Sequence, residues 1–113
     1  MNFPVRYVPG SGLNSFAGKP DEFLRGEDKP SNYLARCLET INAQEPEVKA
    51  WVTTRIDAVR AEAAAADHRY AAGIPLSPVD GMPIAVKDVI QTRDMPTKFG
   101  SPIFDNHETG FDS

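Results

Sequence analysis

The sequence contains almost no cysteine, little histidine and no long apolar run. Cys37 is the only cysteine among 113 residues, which excludes an internal disulfide and a cysteine-rich metal site. The two histidines, His68 and His107, lie far apart in the chain without neighbours at metal-ligand spacing, so we expect both on the surface. No apolar run approaches the roughly 20 residues of a membrane span, and the N-terminus lacks the charged-then-apolar order of a signal peptide. The sequence therefore predicts neither a membrane protein nor a metalloprotein.

Positive charge is also scarce. Twelve lysine and arginine residues are outnumbered by 16 aspartate and glutamate residues, which gives a formal net charge of -4. Binding to the phosphates of a nucleic acid needs a clustered basic face, and neither the composition nor the spacing supplies one. We therefore expect an acidic, cytoplasmic protein with no nucleic acid partner and no membrane partner.

The first 30 residues are rich in proline and glycine, which is typical of loops. We interpret residues 1–30 as an irregular N-terminal arm. An apolar patch within residues 3–8 could form an edge strand, and residues 20–25 could form one helical turn with Pro20 at its first position.

The first helix is predicted after this arm. Ser31 precedes an apolar stripe at helical spacing and is a candidate N-cap, because its hydroxyl can accept a backbone hydrogen bond. The stripe ends near residues 43–44, before Pro46. Cys37 shares this stripe, so we interpret it as a small buried hydrophobe.

The second helix is predicted over about residues 54–72. Its alanine-rich sequence favours a helix intrinsically, and small side chains allow a neighbouring element to approach closely. Gly73 stands where a left-handed residue ends a helix, and Pro75 cannot continue it. Of all the elements, this one has the most complete sequence signature.

Two further segments read as short strands. Residues 48–52 alternate apolar with less apolar side chains, which indicates a strand or an extended link, with Trp51 in the core. Residues 84–86, Ile-Ala-Val, follow turn residues and form a β-branched apolar run that predicts a buried strand.

This second strand ends in a lysine, Lys87. Burying an ammonium group is costly unless it is paired or deprotonated, so a lysine at this place needs an explanation. One interpretation is structural: Lys87 marks the strand end, reaches water and pairs with a carboxylate such as Asp88. The other is functional: the site lowers the pKa of Lys87, and the neutral amine acts as a general base that activates a serine hydroxyl.

The surrounding sequence resembles the N-terminal part of the amidase signature family of serine hydrolases. The resemblance is carried by the runs GMPIAVKD at residues 81–88, MPT at 95–97 and GSP at 100–102. It implies an α/β fold, here the N-terminal fragment of the amidase signature fold, in which helices cover a mixed sheet core. We expect about two main helices and two to three short strands, and we expect residues 31–113 to be the N-terminal part of that domain, truncated before the catalytic serines.

The resemblance also implies roles for individual residues. Lys87 matches the lysine of the family's Ser-cisSer-Lys triad, which hydrolyses a carboxamide C–N bond with the lysine as general base. Gly100 and Ser101 match a segment near the family's active site, so they are candidate substrate-binding residues. We also expect Gly100 to supply an unusual backbone angle and Ser101 to make a local hydrogen bond. Neither a cofactor nor a metal is implied. Asp88 is expected to face away from Lys87 and to accept backbone or loop hydrogen bonds.

Three functions remain open. The first is a fragment of an amidase that acts on a small-molecule amide and is inactive alone. The second is the amidase subunit of a tRNA-dependent amidotransferase, and the third is a non-catalytic chain that complements or binds a partner. A homodimer, or a partner chain carrying the catalytic serines, is compatible with these functions. The sequence departs from the family pattern at Val89, Asp94 and Lys98, and the departure at Lys98 bears on the substrate preference of its loop.

Overall fold

A computed structural model of the chain describes residues 14–113. Within this range the order of elements is α1 (Lys19–Leu24), α2 (Pro30–Val48), α3 (Ile56–Ala71) and one 3₁₀ turn (Pro102–Phe104). The edge strand expected within residues 3–8 lies outside the described residues. In the described part of the chain, no helix is long and apolar enough to cross a membrane.

Helix α1 confirms the helical turn predicted near Pro20. Gly18 enters it with a left-handed φ of 75°, and Pro20 lies in its first turn, where a missing N–H costs nothing. Phe23 on this helix is buried. Part of the predicted irregular arm therefore contributes to the core, while the domain boundary at residue 30 stays a prediction.

Helix α2 differs from its prediction at both ends. It begins at Pro30 with Lys29 as N-cap and without a side-chain cap, so the predicted capping role of Ser31 was wrong. The Ser31 hydroxyl instead donates a hydrogen bond to the carboxylate of Asp67 on α3. The helix also continues two residues past Pro46, although a proline there removes a helical N–H donor. Lys49 then ends the helix in a left-handed conformation, with φ 50°.

The strand predicted at residues 48–52 is absent. Val48 still belongs to α2, and residues 49–55 form an irregular connection to α3. Trp51 is 39% exposed, so its predicted place in the core was wrong. Its backbone N–H donates to the Glu45 side chain, which ties this connection back to α2.

Helix α3 confirms the second predicted helix to within two residues at each end. Gly73 follows it with φ 72°, as expected of a residue that ends a helix in the left-handed region. Ala63, Ala66 and Tyr70 are buried on one face. The small alanine side chains allow α2 to pack closely against α3.

The core is an aromatic cluster at the junction of the three helices. Phe23, Tyr33 and Tyr70 are buried together, and Phe16 and Cys37 pack at its edge. The rings meet edge to face, with 5.1 Å between the centroids of Phe23 and Tyr70. Cys37 is half-buried rather than fully buried, and burial raises the pKa of its thiol.

The strand predicted at residues 84–86 is also absent. A strand needs a neighbour to accept and donate its backbone hydrogen bonds, and no other described segment pairs with residues 82–87, which are in an irregular extended segment. The side chains of Ile84 and Val86 are 73% and 38% exposed. Within residues 14–113 the chain is therefore helical, with a single isolated bridge between Thr92 and Met95 in place of the expected sheet.

Candidate functional site

Helix α3 fixes the start of the segment that carries Lys87. The guanidinium of Arg69 donates two hydrogen bonds to the carboxylate of Asp80, at 2.8 and 2.7 Å. The same carboxylate accepts the Leu76 N–H at 3.0 Å, and the Tyr70 hydroxyl donates to the Asp80 carbonyl at 2.8 Å. The hydrogen bonds from Arg69 hold the pKa of Asp80 below its usual value, against the opposing effect of burial. Asp80 therefore fastens the turn before residue 81 as an ionised carboxylate.

Gly81 brings this turn against the N-terminus of α2. Its φ is +81°, and a Cβ added there would lie 3.0 Å from side-chain carbons of Pro30. Only glycine adopts such a conformation at so close an approach without strain. The segment leaving Gly81 thus starts from a fixed point at the α2–α3 junction.

Lys87 lies on the surface of the described part of the chain. Its carbonyl accepts the Ile90 N–H at 2.9 Å, so the extended segment ends in a tight turn. None of the salt bridges among residues 14–113 involves Lys87, so the pairing with Asp88 that the structural interpretation offered is not observed. The desolvation expected around the amine is not supplied by the described residues either, and the catalytic role of Lys87 stays a prediction.

The surface on both sides of Lys87 is apolar. The large apolar side chains there are 38–73% exposed, and they are Ile84, Val86, Val89 and Ile90. A run of exposed large apolar side chains is typical of a segment that another protein layer covers.

Asp88 joins the Lys87 turn to the loop that follows it in the site. Its Oδ1 accepts the Lys98 N–H at 2.8 Å, and its carbonyl accepts the Phe99 N–H at 3.1 Å. The expectation that Asp88 accepts loop hydrogen bonds is confirmed. Its other oxygen, Oδ2, is buried without a hydrogen-bond partner among the described residues.

The backbone of the 97–100 loop adopts an uncommon conformation. Phe99 and Gly100 both have positive φ, 52° and 68°, and the Ser101 N–H closes the turn on the Lys98 carbonyl at 3.0 Å. Positive φ at both central residues is typical of a type I′ turn and is uncommon for phenylalanine. The unusual backbone angle expected of Gly100 is therefore confirmed.

Ser101 and Thr97 make hydrogen bonds within the C-terminal part of the chain. The Ser101 hydroxyl accepts the Ile103 N–H at 3.4 Å and caps the 3₁₀ turn, which confirms the expected local hydrogen bond. Thr97 is only 1% exposed, its N–H donates to the His107 carbonyl at 2.9 Å, and its hydroxyl has no partner among the described residues. Substrate contacts by Gly100 and Ser101 remain predictions.

The structure thus connects the predicted site residues through Asp88, which lies between Lys87 and the loop of Gly100 and Ser101. Sequence reasoning missed the pairing of Arg69 with Asp80, because nothing in the pattern links residues 11 positions apart across a helix end. His68 and His107 are exposed, as expected. Among residues 14–113, no group of three histidine, cysteine, aspartate or glutamate side chains is placed to hold a metal ion.

Comparison with known proteins identifies the class. The model of the Amidase family matches residues 32–113, so the chain belongs to the amidase family. The resemblance found in the sequence is confirmed. No solved structure gives a significant match.

The curated proteins to which the chain is similar include glutamyl-tRNA(Gln) amidotransferase A subunits. The chain is 49% identical over 67 residues to the subunit from Chloroflexus aggregans, which covers 59% of this chain and 14% of that protein. It is 37% identical over 93 residues to the subunit from a Roseiflexus species, covering 82% and 19%. The subunit from Mycobacterium bovis is 41% identical over 78 residues, covering 68% and 16%. The matched regions thus span less than a fifth of the length of these relatives.

Proposed function

We propose that this chain contributes the general base, Lys87, to an amidase that hydrolyses the C–N bond of a small carboxamide. The observation that carries the proposal is the fixed position of the lysine turn, the tight turn of residues 87–90. It is fastened before Lys87 by Asp80 and Gly81, and after it by the two hydrogen bonds of Asp88. A reacting group must be held in place to contribute to catalysis, and this arrangement supplies such support.

The apolar surface around Lys87 supports a further part of the proposal. A neutral amine is needed for a general base, and desolvation favours the neutral form of lysine. We propose that sequence bearing the catalytic serines covers Ile84, Val86 and Val89, which are exposed in the described residues, and desolvates Lys87 at the same time. This chain joined to, or assembled with, that sequence is the complete enzyme.

In the proposed reaction, Lys87 accepts a proton and later returns it. Its neutral amine accepts the proton of the nucleophilic serine through the bridging serine, and the serine oxygen forms a bond to the amide carbon. The proton then passes to the leaving nitrogen as the C–N bond breaks, and water hydrolyses the resulting ester. Because both serines are expected outside residues 1–113, the chain alone should not turn over an amide.

The test is a pair of lysine variants of the complete enzyme. Lys87→Ala should lower kcat by about 100-fold or more, on general-base precedent. The matched control, Lys29→Ala, removes an exposed lysine at the N-terminus of α2 and should leave kcat unchanged. Turnover of 4-nitroacetanilide and of glutamine gives the rates. An unchanged kcat for Lys87→Ala would return this lysine to a structural role, as would amide hydrolysis by residues 1–113 alone that survives Lys87→Ala.

A second candidate is favoured by the relatives. All three described above are A subunits of glutamyl-tRNA(Gln) amidotransferases, and the same lysine chemistry would then release ammonia from an amide for transfer to an aminoacyl-tRNA. Assembly with a second subunit and tRNA-dependent release of ammonia would favour this candidate. Equal hydrolysis with and without tRNA would favour the first. The cytoplasmic location stays a prediction under both.

A further inference from the structure

Asp88 is the point at which the lysine turn and the 97–100 loop are joined. One residue provides both acceptors: the side-chain Oδ1 for the Lys98 N–H at 2.8 Å and the main-chain carbonyl for the Phe99 N–H at 3.1 Å. Two successive N–H groups bound to a single residue fix both its backbone and its side-chain direction. Because Lys87 is bonded directly to Asp88, and its own carbonyl accepts the Ile90 N–H at 2.9 Å, these contacts together restrict the position of the Lys87 Cα.

On the N-terminal side of Lys87, few contacts with other described residues hold the chain in place. The extended segment before it has no strand partner among the described residues, and the side chains there are exposed. Its nearest fastening toward the N-terminus is Asp80–Gly81, six residues earlier. The orientation of the Lys87 side chain therefore depends on the Asp88 contacts more than on local packing.

The loop on the other side of these bonds is well suited to act as a rigid support. Its turn has positive φ at Phe99 and Gly100, Thr97 is 1% exposed, and the Thr97 N–H is bound to the His107 carbonyl at 2.9 Å. Thr97 is thus a buried, hydrogen-bonded residue at the start of the loop, and such a residue restricts the motion of the segment next to it. Asp88 transmits that restriction to the lysine turn.

We propose that Asp88 is a positioning residue for Lys87 and that it acts through the acceptor atom Oδ1, not through its negative charge. The inference rests on the proposed function of Lys87. It adds a second residue to the site and assigns that residue a role in orientation. A displacement of a reacting group by about 1 Å costs up to about 100-fold in rate, so a misplaced acceptor at residue 88 should be visible in kcat.

Two substitutions separate the acceptor from the charge. Asp88→Asn keeps an oxygen at the Oδ1 position and removes the charge, whereas Asp88→Glu keeps the charge and moves the oxygens outward by one methylene. In the complete enzyme, with 4-nitroacetanilide and glutamine as substrates, Asp88→Asn should keep kcat within about threefold and Asp88→Glu should lower it by about 10- to 100-fold. KM should change little in both variants, because the substrate is not held by residue 88.

The proposal is tested by which of the two Asp88 variants has the higher kcat. A role for charge predicts the reverse order, with Asp88→Glu active and Asp88→Asn impaired, and that result would overturn the proposal. So would equal kcat values in both variants, or a change confined to KM. Lys87→Ala, measured in parallel, distinguishes failure of the proposed function from failure of this inference. An active Lys87→Ala enzyme refutes the proposed function. An inactive Lys87→Ala enzyme together with two unimpaired Asp88 variants refutes only the role of Asp88.

Amide hydrogen exchange provides a readout that does not require turnover. The Lys98 N–H should exchange slowly in the wild-type complete enzyme and in Asp88→Asn, and at least about tenfold faster in Asp88→Glu, because the hydrogen bond that protects it is lost. Residues of the aromatic core, such as Tyr70, should show unchanged exchange in both variants. Loss of protection in Asp88→Asn, or equal protection in all three proteins, would refute the role of Oδ1.

Discussion

Arg69 and Asp80 form a two-point hydrogen bond that fixes the Lys87 segment to helix α3. The two nitrogen–oxygen distances are 2.8 and 2.7 Å, and the side chains are 28% and 6% exposed. A carboxylate this buried needs its partner, because an unpaired charge in such a place loses the hydration that it had in the unfolded chain. The pair therefore links the stability of the helices to the geometry of the candidate site.

Arg69→Ala should be strongly destabilising. The substitution leaves the buried carboxylate of Asp80 without a charged partner, although the Leu76 backbone N–H still donates to it. Because Arg69 is partly exposed, we expect a loss of about 2–3 kcal/mol in the free energy of unfolding, below the full cost for a fully buried pair. Urea unfolding followed by circular dichroism measures it.

Arg25→Ala is the matched control for this prediction. Arg25 also binds a carboxylate at two points, that of Glu27, but both side chains are more than half exposed. Exposed pairs contribute about 0–1 kcal/mol, so this variant should unfold close to wild type. Equal losses in the two arginine variants would show that burial of Asp80 does not matter.

The stability of the helices should fall in acid because of Asp28. Hydrogen bonds from Arg36 lower the pKa of this carboxyl to about 2, with further contributions from the Lys29 N–H and Lys19. A carboxyl whose pKa is lower in the folded state stabilises the fold above its unfolded pKa of about 3.9 and loses that contribution as the pH falls toward 2. We expect a loss of at most about 2 kcal/mol between pH 4 and pH 2, since Arg36 is partly exposed and solvent screens the pair.

Asp28→Asn tests this origin of the acid sensitivity. The variant should be less stable than wild type at pH 7, and its free energy of unfolding should depend less on pH below 4. Unfolding curves at several pH values measure both effects. An unchanged pH dependence would assign the acid sensitivity to other carboxyls, of which Asp80 is the first, because its pKa is also lowered.

The parts of the fold that depend on local sequence could be predicted, and those that depend on distant partners could not. Helix α3 follows from its alanine content and from Gly73, both of which act within a few residues. The strand at 84–86 failed because an apolar β-branched run forms a strand only if another segment supplies the ladder, and none of the described residues does. Pro46 misled the prediction of α2, because the helix continues to Val48 despite the N–H donor that the proline lacks.

The site shows the same division. Lys87 could be found because its motif is continuous in sequence, and the loop contacts of Asp88 were expected in kind. The specific partners, Lys98 and Phe99, are set by the way the chain returns after a turn at residues 91–96, which no periodicity encodes. The burial of Thr97 could not be predicted either, because threonine is mostly exposed in folded proteins.

Thr97→Val should stabilise the chain. Thr97 is 1% exposed, and its hydroxyl has no hydrogen-bond partner among the described residues. A buried hydroxyl without a partner pays a desolvation cost that an isosteric methyl group does not, so the free energy of unfolding should rise by about 1 kcal/mol. Thermal unfolding measures the change. Destabilisation would mean that the hydroxyl is bound in solution by a group outside the described residues.

Gly81→Ala should cost much more stability than Gly73→Ala, although both glycines have positive φ, +81° and +72°. At Gly73 an added Cβ would meet nothing within 4 Å, so the cost is that of the left-handed backbone alone, about 1 kcal/mol. At Gly81 the same Cβ would lie 3.0 Å from Pro30, whose ring is fixed in the first turn of α2 and cannot move aside. The turn or the helix must then shift, and we expect a total loss of about 2–4 kcal/mol.

The two glycine variants also differ in what they should do to the site. Gly73 lies between Arg69 and Asp80 in the sequence. Gly81 follows Asp80 directly and begins the segment that ends at Lys87. Gly81→Ala should therefore lower kcat of the complete enzyme under conditions in which both variants remain folded, and Gly73→Ala should not. Equal unfolding free energies would show that the Pro30 contact yields freely. A lower kcat in Gly73→Ala alone would show that the position of Lys87 is set from the end of α3 and not from the contact between Gly81 and α2.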